Sequence, residues 1–563
     1  MAGFDVNVSL ATAIRRFFSV IRIEKNEVSA IYFYAILSGL IQLSLPLGIQ
    51  AIINFSQVAA GRTKLPVSMW LLIFLVVGGV LVVGIVQVNQ MKVVERIQQR
   101  IFTRYAFEFT YKIPRFDIKK VDNYHLPELV NRFFDTIALQ KGLSNLLLDI
   151  PLAVIQIIFG LILLSLYSPL FVLLGILLII ILYMVLHLTA KKGLDASLRE
   201  SDFKYSAAAW IEELARTFKS FKVSGKQNLH LQKTDKLVVG YLESRTDHFD
   251  VLKFQYWSLI LFKLLVTATM LIVGAVLLIE QQLNVGQFIA AEIVILTVLS
   301  AVEKLILSLD KAYDVLTSLE KLSKVTDQPL EEISTTLYTK NPNGVSIKLN
   351  QLSFGYQEHQ QILNNLNLEI QSGEKVCIKG EAASGKSVLL ELLAGGFPNT
   401  QGAVLIDGLP IGNYNIESYR KQIGVFYHEQ DIFKGTLYEN ITMGDTSIPP
   451  SDLLELAKIV GLESFISSLP KGFDTELNPT GKGMSSIIAK KILLVRAFAT
   501  SPGLLLLDEP FEIAGGENCE KIADYLINLK NVTVVVITGD QNFASKSSRV
   551  ITLANGEIVS NKN

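Results

Sequence analysis

Charge is scarce in this 563-residue chain. Only 18% of its residues are Asp, Glu, Lys or Arg, against roughly 25% in an average soluble domain, and 52 basic residues cancel 52 acidic ones. With no net positive field to draw in phosphate backbones, bulk electrostatics exclude a nucleic-acid binder. Disorder is excluded as well, since 50% of the residues are hydrophobic. The only cysteines, Cys377 and Cys519, cannot make a disulfide framework and fit a reducing compartment. The histidines show no metal-ligand spacing, and no nucleophilic triad is visible.

What is present is two compositions joined end to end. Up to about Leu309 long apolar runs alternate with polar stretches; after about Val345 the chain reads as short Val/Ile/Leu strands, glycine turns and amphipathic helices. Six runs approach the ~20 apolar residues that cross a bilayer: Ala30–Ile53, Val67–Val88, Ile150–Leu166, Leu170–Leu188, Trp257–Ile279 and Val285–Leu309. The third and fourth are separated only by Tyr167, Ser168 and Pro169, which predicts a tight helical hairpin. Residues 91–149 carry about ten Lys/Arg and 189–256 about twelve, so both stretches and both termini are expected on the cytoplasmic side. Residues 93–111 and 207–222 read as membrane helices continuing into the cytosol. Ala11–Lys25 has charges inside its apolar pattern and is not expected to be a signal peptide. It reads as an amphipathic helix on the inner surface, with Arg15, Arg16 and Arg22 toward lipid headgroups.

Ionisable residues inside spans are costly and therefore informative. At a rise of about 1.5 Å per residue, Lys263 lies roughly 24 Å and Glu303 roughly 27 Å below the outer ends of their helices, so an interhelical salt bridge is expected. Lys304 follows Glu303 at the same inner end. Glu292, about 10 Å from its outer end, has no basic residue at its level and is a candidate to face a translocation cavity.

The second half contains Gly380-Glu381-Ala382-Ala383-Ser384-Gly385-Lys386-Ser387, a complete G-x-x-x-x-G-K-[ST]. It follows a strand-like run, KVCIK, and opens a helix-like one, VLLELLA, starting at Val388. In that context loop and helix N–H groups wrap phosphates, Lys386 neutralises charge on the outer two, and Ser387 ligates Mg²⁺. The apolar run Leu504–Leu507 ends in Asp508 and Glu509; Asp508 would hold the Mg²⁺ shell and Glu509 could polarise an attacking water. ATP and Mg²⁺ are the expected ligands.

Along nearly its whole length the chain resembles an ATP-binding cassette (ABC) exporter half-transporter. The strings that carry this are LSFGY, AVLIDGLPI, IFKGTLYENI, GFDTEL and LLLLDEP, with RFDIKKVDNYHLPELVNRFFD and AAAWIEELARTFKSFKVSGK resembling the two cytosolic coupling regions. Bacterial type I secretion exporters are the nearest type. The resemblance implies an α-helical six-span membrane domain followed by an α/β P-loop NTPase (ABC-type) domain. The expected boundaries are a surface helix over 1–27, a transmembrane domain over 28–320, a linker over 321–345 and a nucleotide-binding domain over 346–563. It also implies Tyr356 stacking on adenine, a multi-pass protein of the bacterial inner membrane, and a second half-transporter as partner, as homodimer or heterodimer. For a secretion exporter, a periplasmic adaptor and an outer-membrane channel join that set.

The departures from the family pattern fall in its hydrolysis loops. The signature Leu-Ser-Gly-Gly-Gln aligns with Met484-Ser485-Ser486-Ile487-Ile488, in a register fixed by AKKILLVRA and Arg496. His428 stands where the family has its Mg²⁺-sensing glutamine, with Gln430 two residues late. Gly539 replaces the switch histidine, Gly515 the aspartate after the Asp–Glu pair, and Pro479 the glutamate of the export-specific loop. Water-positioning groups contribute ~10²–10⁴ in rate and a lost oxyanion-type donor costs ~10²–10³. The expectation is good ATP binding with slow hydrolysis in any site built only from this chain. Three readings follow: an exporter subunit, the degenerate half of a heterodimer, or a non-transporting ATP-sensing membrane protein.

Overall fold

The computed structural model describes residues 9–58, 66–121, 126–224, 228–332, 334–356, 361–397, 401–427, 430–479, 484–513 and 515–562. They form two compact units, one of residues up to 116 with 123–328, the other of 117–122 with 329–563.

The first unit is helical: α1 (Leu10–Ile23), α2 (Lys25–Gln42), α3 (Ser44–Val58) and α4 (Val67–Lys112). After the short α5 (Ile118–Val121), which clusters with the second unit, come α6 (Leu126–Asn131), α7 (Asp135–Tyr167), α8 (Leu170–Arg216), α9 (Phe218–Ser224), α10 (Leu229–Ile279) and α11 (Val285–Thr326). Among the described residues six helical stretches are long and apolar enough to cross a membrane, and each contains one of the expected runs. The 51 residues of α10 span about 75 Å, far more than the ~30 Å hydrocarbon core, so the helix continues well past a bilayer. Trp70, Phe74, Leu173, Tyr183, Leu264 and Ile272 are exposed in the unit, as lipid-facing positions should be. Only Ser168 and Pro169 separate α7 from α8. Asn284 starts α11 through a reciprocal capping box with Gln287. α7 and α11 pack closely: a Cβ on Gly160 would lie 2.5 Å from Val298 Cγ2.

Lys263 Nζ of α10 donates to Glu303 Oε2 of α11 at 2.6 Å, the salt bridge expected from the rise arithmetic. The first span is interrupted after Gln42, because Pro46 has no N–H to return to the Gln42 carbonyl. Two expectations need correction. Arg16 does not point to lipid headgroups: its guanidinium pairs with both Glu320 and Asp327 of the α11 region, through one terminal nitrogen each. Arg15 and Arg22 are exposed beside Ile14, Phe18 and Ile23, so α1 keeps an amphipathic outer face. The expected linker over 321–345 also begins inside helix, since α11 runs to Thr326 and buries Lys321, Leu322 and Val325.

The second unit contains β1 (Ile347–Phe354), β2 (Leu363–Ile370), β3 (Lys375–Gly380), α12 (Lys386–Leu393), β4 (Gln401–Ile406), β5 (Leu409–Pro410), α13 (Ile416–Arg420) and β6 (Ile423–Phe426). These are followed by β7 (Gly435–Thr436), α14 (Leu437–Thr442), α15 (Pro450–Val460), α16 (Glu463–Ser468), β8 (Glu476–Leu477) and α17 (Ser486–Ala499). The unit ends with β9 (Leu504–Asp508), α18 (Glu517–Asn528), β10 (Thr533–Ile537), α19 (Gln541–Lys546), β11 (Arg549–Ala554) and β12 (Glu557–Lys562). The central sheet runs β12-β11-β3-β10-β9-β6, parallel except at β12. β9 and β10 are buried at every position, as a parallel sheet covered on both faces requires. Antiparallel β2-β1-β4-β5 forms a second sheet.

Candidate nucleotide site

The sheet register builds the site. Asp508, the last residue of β9, pairs with Ile537 of β10, and Ile537 pairs with Ile378 of β3. Both acidic residues and the glycine loop therefore leave the sheet at the same C-terminal edge, where ligands bind in open α/β sheets. At Gly380 the turn leaves no room for a side chain: a Cβ there would lie 2.2 Å from the Leu553 carbonyl oxygen. Ala383 (φ +61°) and Gly385 (φ +92°) complete the reversal, and Gly385 precedes the first turn of α12. The outcome is a concave loop whose N–H groups and helix start converge.

Lys386 Nζ spans that loop, donating to the carbonyls of Gly380 (2.9 Å) and Glu381 (2.6 Å) and to Ser384 Oγ (3.3 Å). Its ammonium is thus held over the loop by neutral acceptors. Ser387 Oγ donates to Asp508 Oδ2 at 2.7 Å, which brings together the hydroxyl and the carboxylate expected to share a metal. This pairing of a strand-end acid with a helix-start hydroxyl is the donor set a hard divalent cation prefers, so the residues fit Mg²⁺. Glu381, Ala382 and Ala383 are exposed on the loop, Ser384 and Gly385 are buried, and Val388 packs its side chain against the sheet core.

Glu509 sits with φ +47°, its N–H bonded to the Ile537 carbonyl at 2.9 Å. Partial burial pushes its carboxyl above the usual carboxylate range, and the charges of Glu512 and Asp508 add to the rise. The Thr538 hydroxyl and the Gly539 N–H oppose it by donating to the carboxylate. Thr538 is buried and its Oγ1 accepts the Asp540 N–H at 3.0 Å, which orients the hydroxyl. These two holders of Glu509 escaped the sequence reading. The string VVVITGD contains them, and it marks Gly539 only as the place of the family's histidine.

Tyr356 stands edge-on to Phe354 (5.4 Å) and Phe397 (5.7 Å), and its hydroxyl donates to Glu391 Oε2 of α12 at 3.3 Å. It is tied to the helix that follows the glycine loop. The remaining loops differ in kind. Ser485 caps α17 by accepting the Ile488 N–H at 3.3 Å, while Ile487 is 52% exposed on the first turn of that helix. Gly515, Gly539 and Pro479 are exposed, and Gln430 Oε1 accepts the Tyr427 N–H at 3.2 Å. His428 lies outside the described residues.

Two family models match the chain: "ABC transporter transmembrane region" over residues 28–302 and "ABC transporter" over 363–512. Among curated relatives, the alpha-hemolysin translocation ATP-binding protein HlyB of Escherichia coli O157:H7 is 29% identical over 344 residues, 61% of this chain and 48% of that one. The leukotoxin translocation ATP-binding protein LktB of Mannheimia haemolytica is 31% identical over 288 residues, 51% of this chain and 40% of that one. The leukotoxin export ATP-binding protein LtxB of Aggregatibacter actinomycetemcomitans is 29% identical over 288 residues, 51% and 41% respectively. The chain thus spans less than half the length of each of these relatives. A bacterial Atm1-family ABC exporter with ATP bound superposes with a TM-score of 0.84 at 18% identity over 96% of both chains, a likeness of fold.

Proposed function

Because this chain belongs to the ABC transporters, we propose that it is the ATP-binding subunit of an exporter of the bacterial inner membrane. In this reading both termini are cytoplasmic and the chain acts with a second half-transporter. The observation that carries the reading is the assembled cradle: Lys386 over the loop and Ser387 joined to Asp508 at 2.7 Å. Loop N–H groups and Lys386 bind and orient the phosphates of ATP. Ser387 and Asp508 hold Mg²⁺, which when bound offsets phosphate charge. Glu509, oriented by Thr538 and Gly539, accepts the proton of the attacking water. Tyr356 supplies the ring for adenine. The names of the relatives, which concern leukotoxin export and hemolysin translocation, support a secretion route; the further partners that the resemblance to secretion exporters implies for such a route are a periplasmic adaptor and an outer-membrane channel. The test is equilibrium binding of ATP to the purified chain in lipid nanodiscs. Saturable, Mg²⁺-dependent binding that AMP does not displace is expected; its absence contradicts the proposal.

A second reading rests on a specific observation, the side chain of Ile487 where the family presents a glycine N–H to the partner's phosphate. In that reading the chain is the degenerate half of a heterodimer, or an ATP sensor that does not transport. Co-purification from native membranes separates them, since a heterodimer yields a second ABC chain at equal stoichiometry.

A further inference from the structure

The interruption of the first span opens a cavity of about 220 Å³ inside the membrane unit. Its wall joins the break itself (Gln42, Ser44, Pro46) to Gly79 of α4, Gln156 of α7 and Thr297 of α11. Counted from the outer ends of the apolar runs, Gln42, Gly79, Gln156 and Thr297 all lie about 15–18 Å deep, close to the middle of the hydrocarbon core. Irregular backbone at that depth persists only where protein or a cavity covers it.

The polar groups there are incompletely satisfied. Gln156 Nε2 donates to Gln42 Oε1, which uses one donor and one acceptor of two amides whichever way they are turned. Among the described residues the Ser44 hydroxyl makes no hydrogen bond. The Thr297 hydroxyl donates back to the Ile293 carbonyl at 2.9 Å and keeps its lone pairs. The Gln42 carbonyl has lost its helical donor to Pro46. Unsatisfied polar groups in a bilayer core are costly, so a donor and acceptor from outside the chain stabilise this site. None of the described lining residues is ionisable and the rest are apolar, so a charged ligand would find no counterion.

We propose that this cavity binds a neutral amphiphile, a molecule with an apolar body and an uncharged amide or hydroxyl head. Calling that molecule a transported substrate rests on the exporter reading; its binding does not. The full chain in nanodiscs without ATP would be photolabelled with a diazirine-bearing dodecanamide, and in parallel with diazirine analogues of dodecane and dodecylammonium. The amide should label the peptides containing Gln42, Gln156 and Thr297, and the alkane and ammonium should not. In Gln42→Leu/Gln156→Leu that labelling should fall about tenfold, the scale of one or two lost hydrogen bonds. ATP binding by the variant shows that it is folded. If the double variant fails to insert, Ser44→Ala/Thr297→Val gives the same test with smaller changes. Equal labelling by alkane and amide, or labelling that neither variant alters, means that water or lipid fills the cavity and overturns the proposal. Labelling without transport overturns the exporter reading alone; transport without labelling overturns only this site.

Discussion

The loop over 380–388 and the loops at 484–488, 515 and 539 belong to one unit, yet they differ in what their residues can do. The first presents backbone N–H groups, one fixed ammonium and a hydroxyl–carboxylate pair, with every geometric demand met by a residue that can meet it. The second set places Ser486 and Ile487 where close approach needs glycine, and glycine at 515 and 539 where the family uses an acid and an imidazole. Holding a nucleotide depends mainly on backbone shape and one charge, whereas hydrolysing it depends on particular side-chain heads. A chain can keep the former while lacking the latter.

The largest effect should come from erasing the contrast. A Cβ added to Gly515 or Gly539 meets nothing within 4 Å, so Gly515→Asp and Gly539→His can be accommodated. Combined with Ser486→Gly, Ile487→Gly and Ile488→Gln, they should raise steady-state ATPase of the homodimer by about 10²-fold or more. Erasing the contrast from the other side is Lys386→Ala. It should weaken ATP binding about 10- to 150-fold in an equilibrium assay, the loss of a charge-assisted contact of about 1.5–3 kcal/mol.

A membrane control sharpens the comparison. Lys263→Met or Glu303→Leu alone leaves a charge without its partner inside a span and should destabilise by about 1–2 kcal/mol in thermal unfolding. The double variant should recover most of that loss, and none of the three should change the ratio of ATP binding to turnover. The smallest effect concerns Glu509. Its pKa is raised in the folded state, so folding favours the neutral carboxyl. That contribution is full below the ordinary value of about 4.3 and is lost as pH rises through the folded pKa. Glu509→Gln should therefore raise the unfolding temperature slightly above neutral pH and leave it unchanged below about pH 4.

Much of this architecture was legible in the residues. Apolar length locates each candidate span among the described residues, and the rise per residue alone puts Lys263 level with Glu303. The glycine loop was readable because its function depends on local sequence, from β3 through Gly380 to Ser387. Arg16 was misread because an amphipathic pattern reports a polar surface without saying whether lipid or Glu320 meets it. The break at Leu43 lies within an unbroken apolar run, where Pro46 alone marks it. Thr538 and Gly539 hold Glu509 only through pairing of β10 with β9, a tertiary contact that no local pattern announces.

The central claim is that this chain binds ATP well and turns it over slowly by itself. Its most direct test is ATPase activity of the purified homodimer in lipid, wild type beside Glu509→Gln, with ATP binding measured on the same samples. The account predicts saturable binding in both and slow wild-type turnover that Glu509→Gln lowers further; rapid wild-type turnover would contradict it.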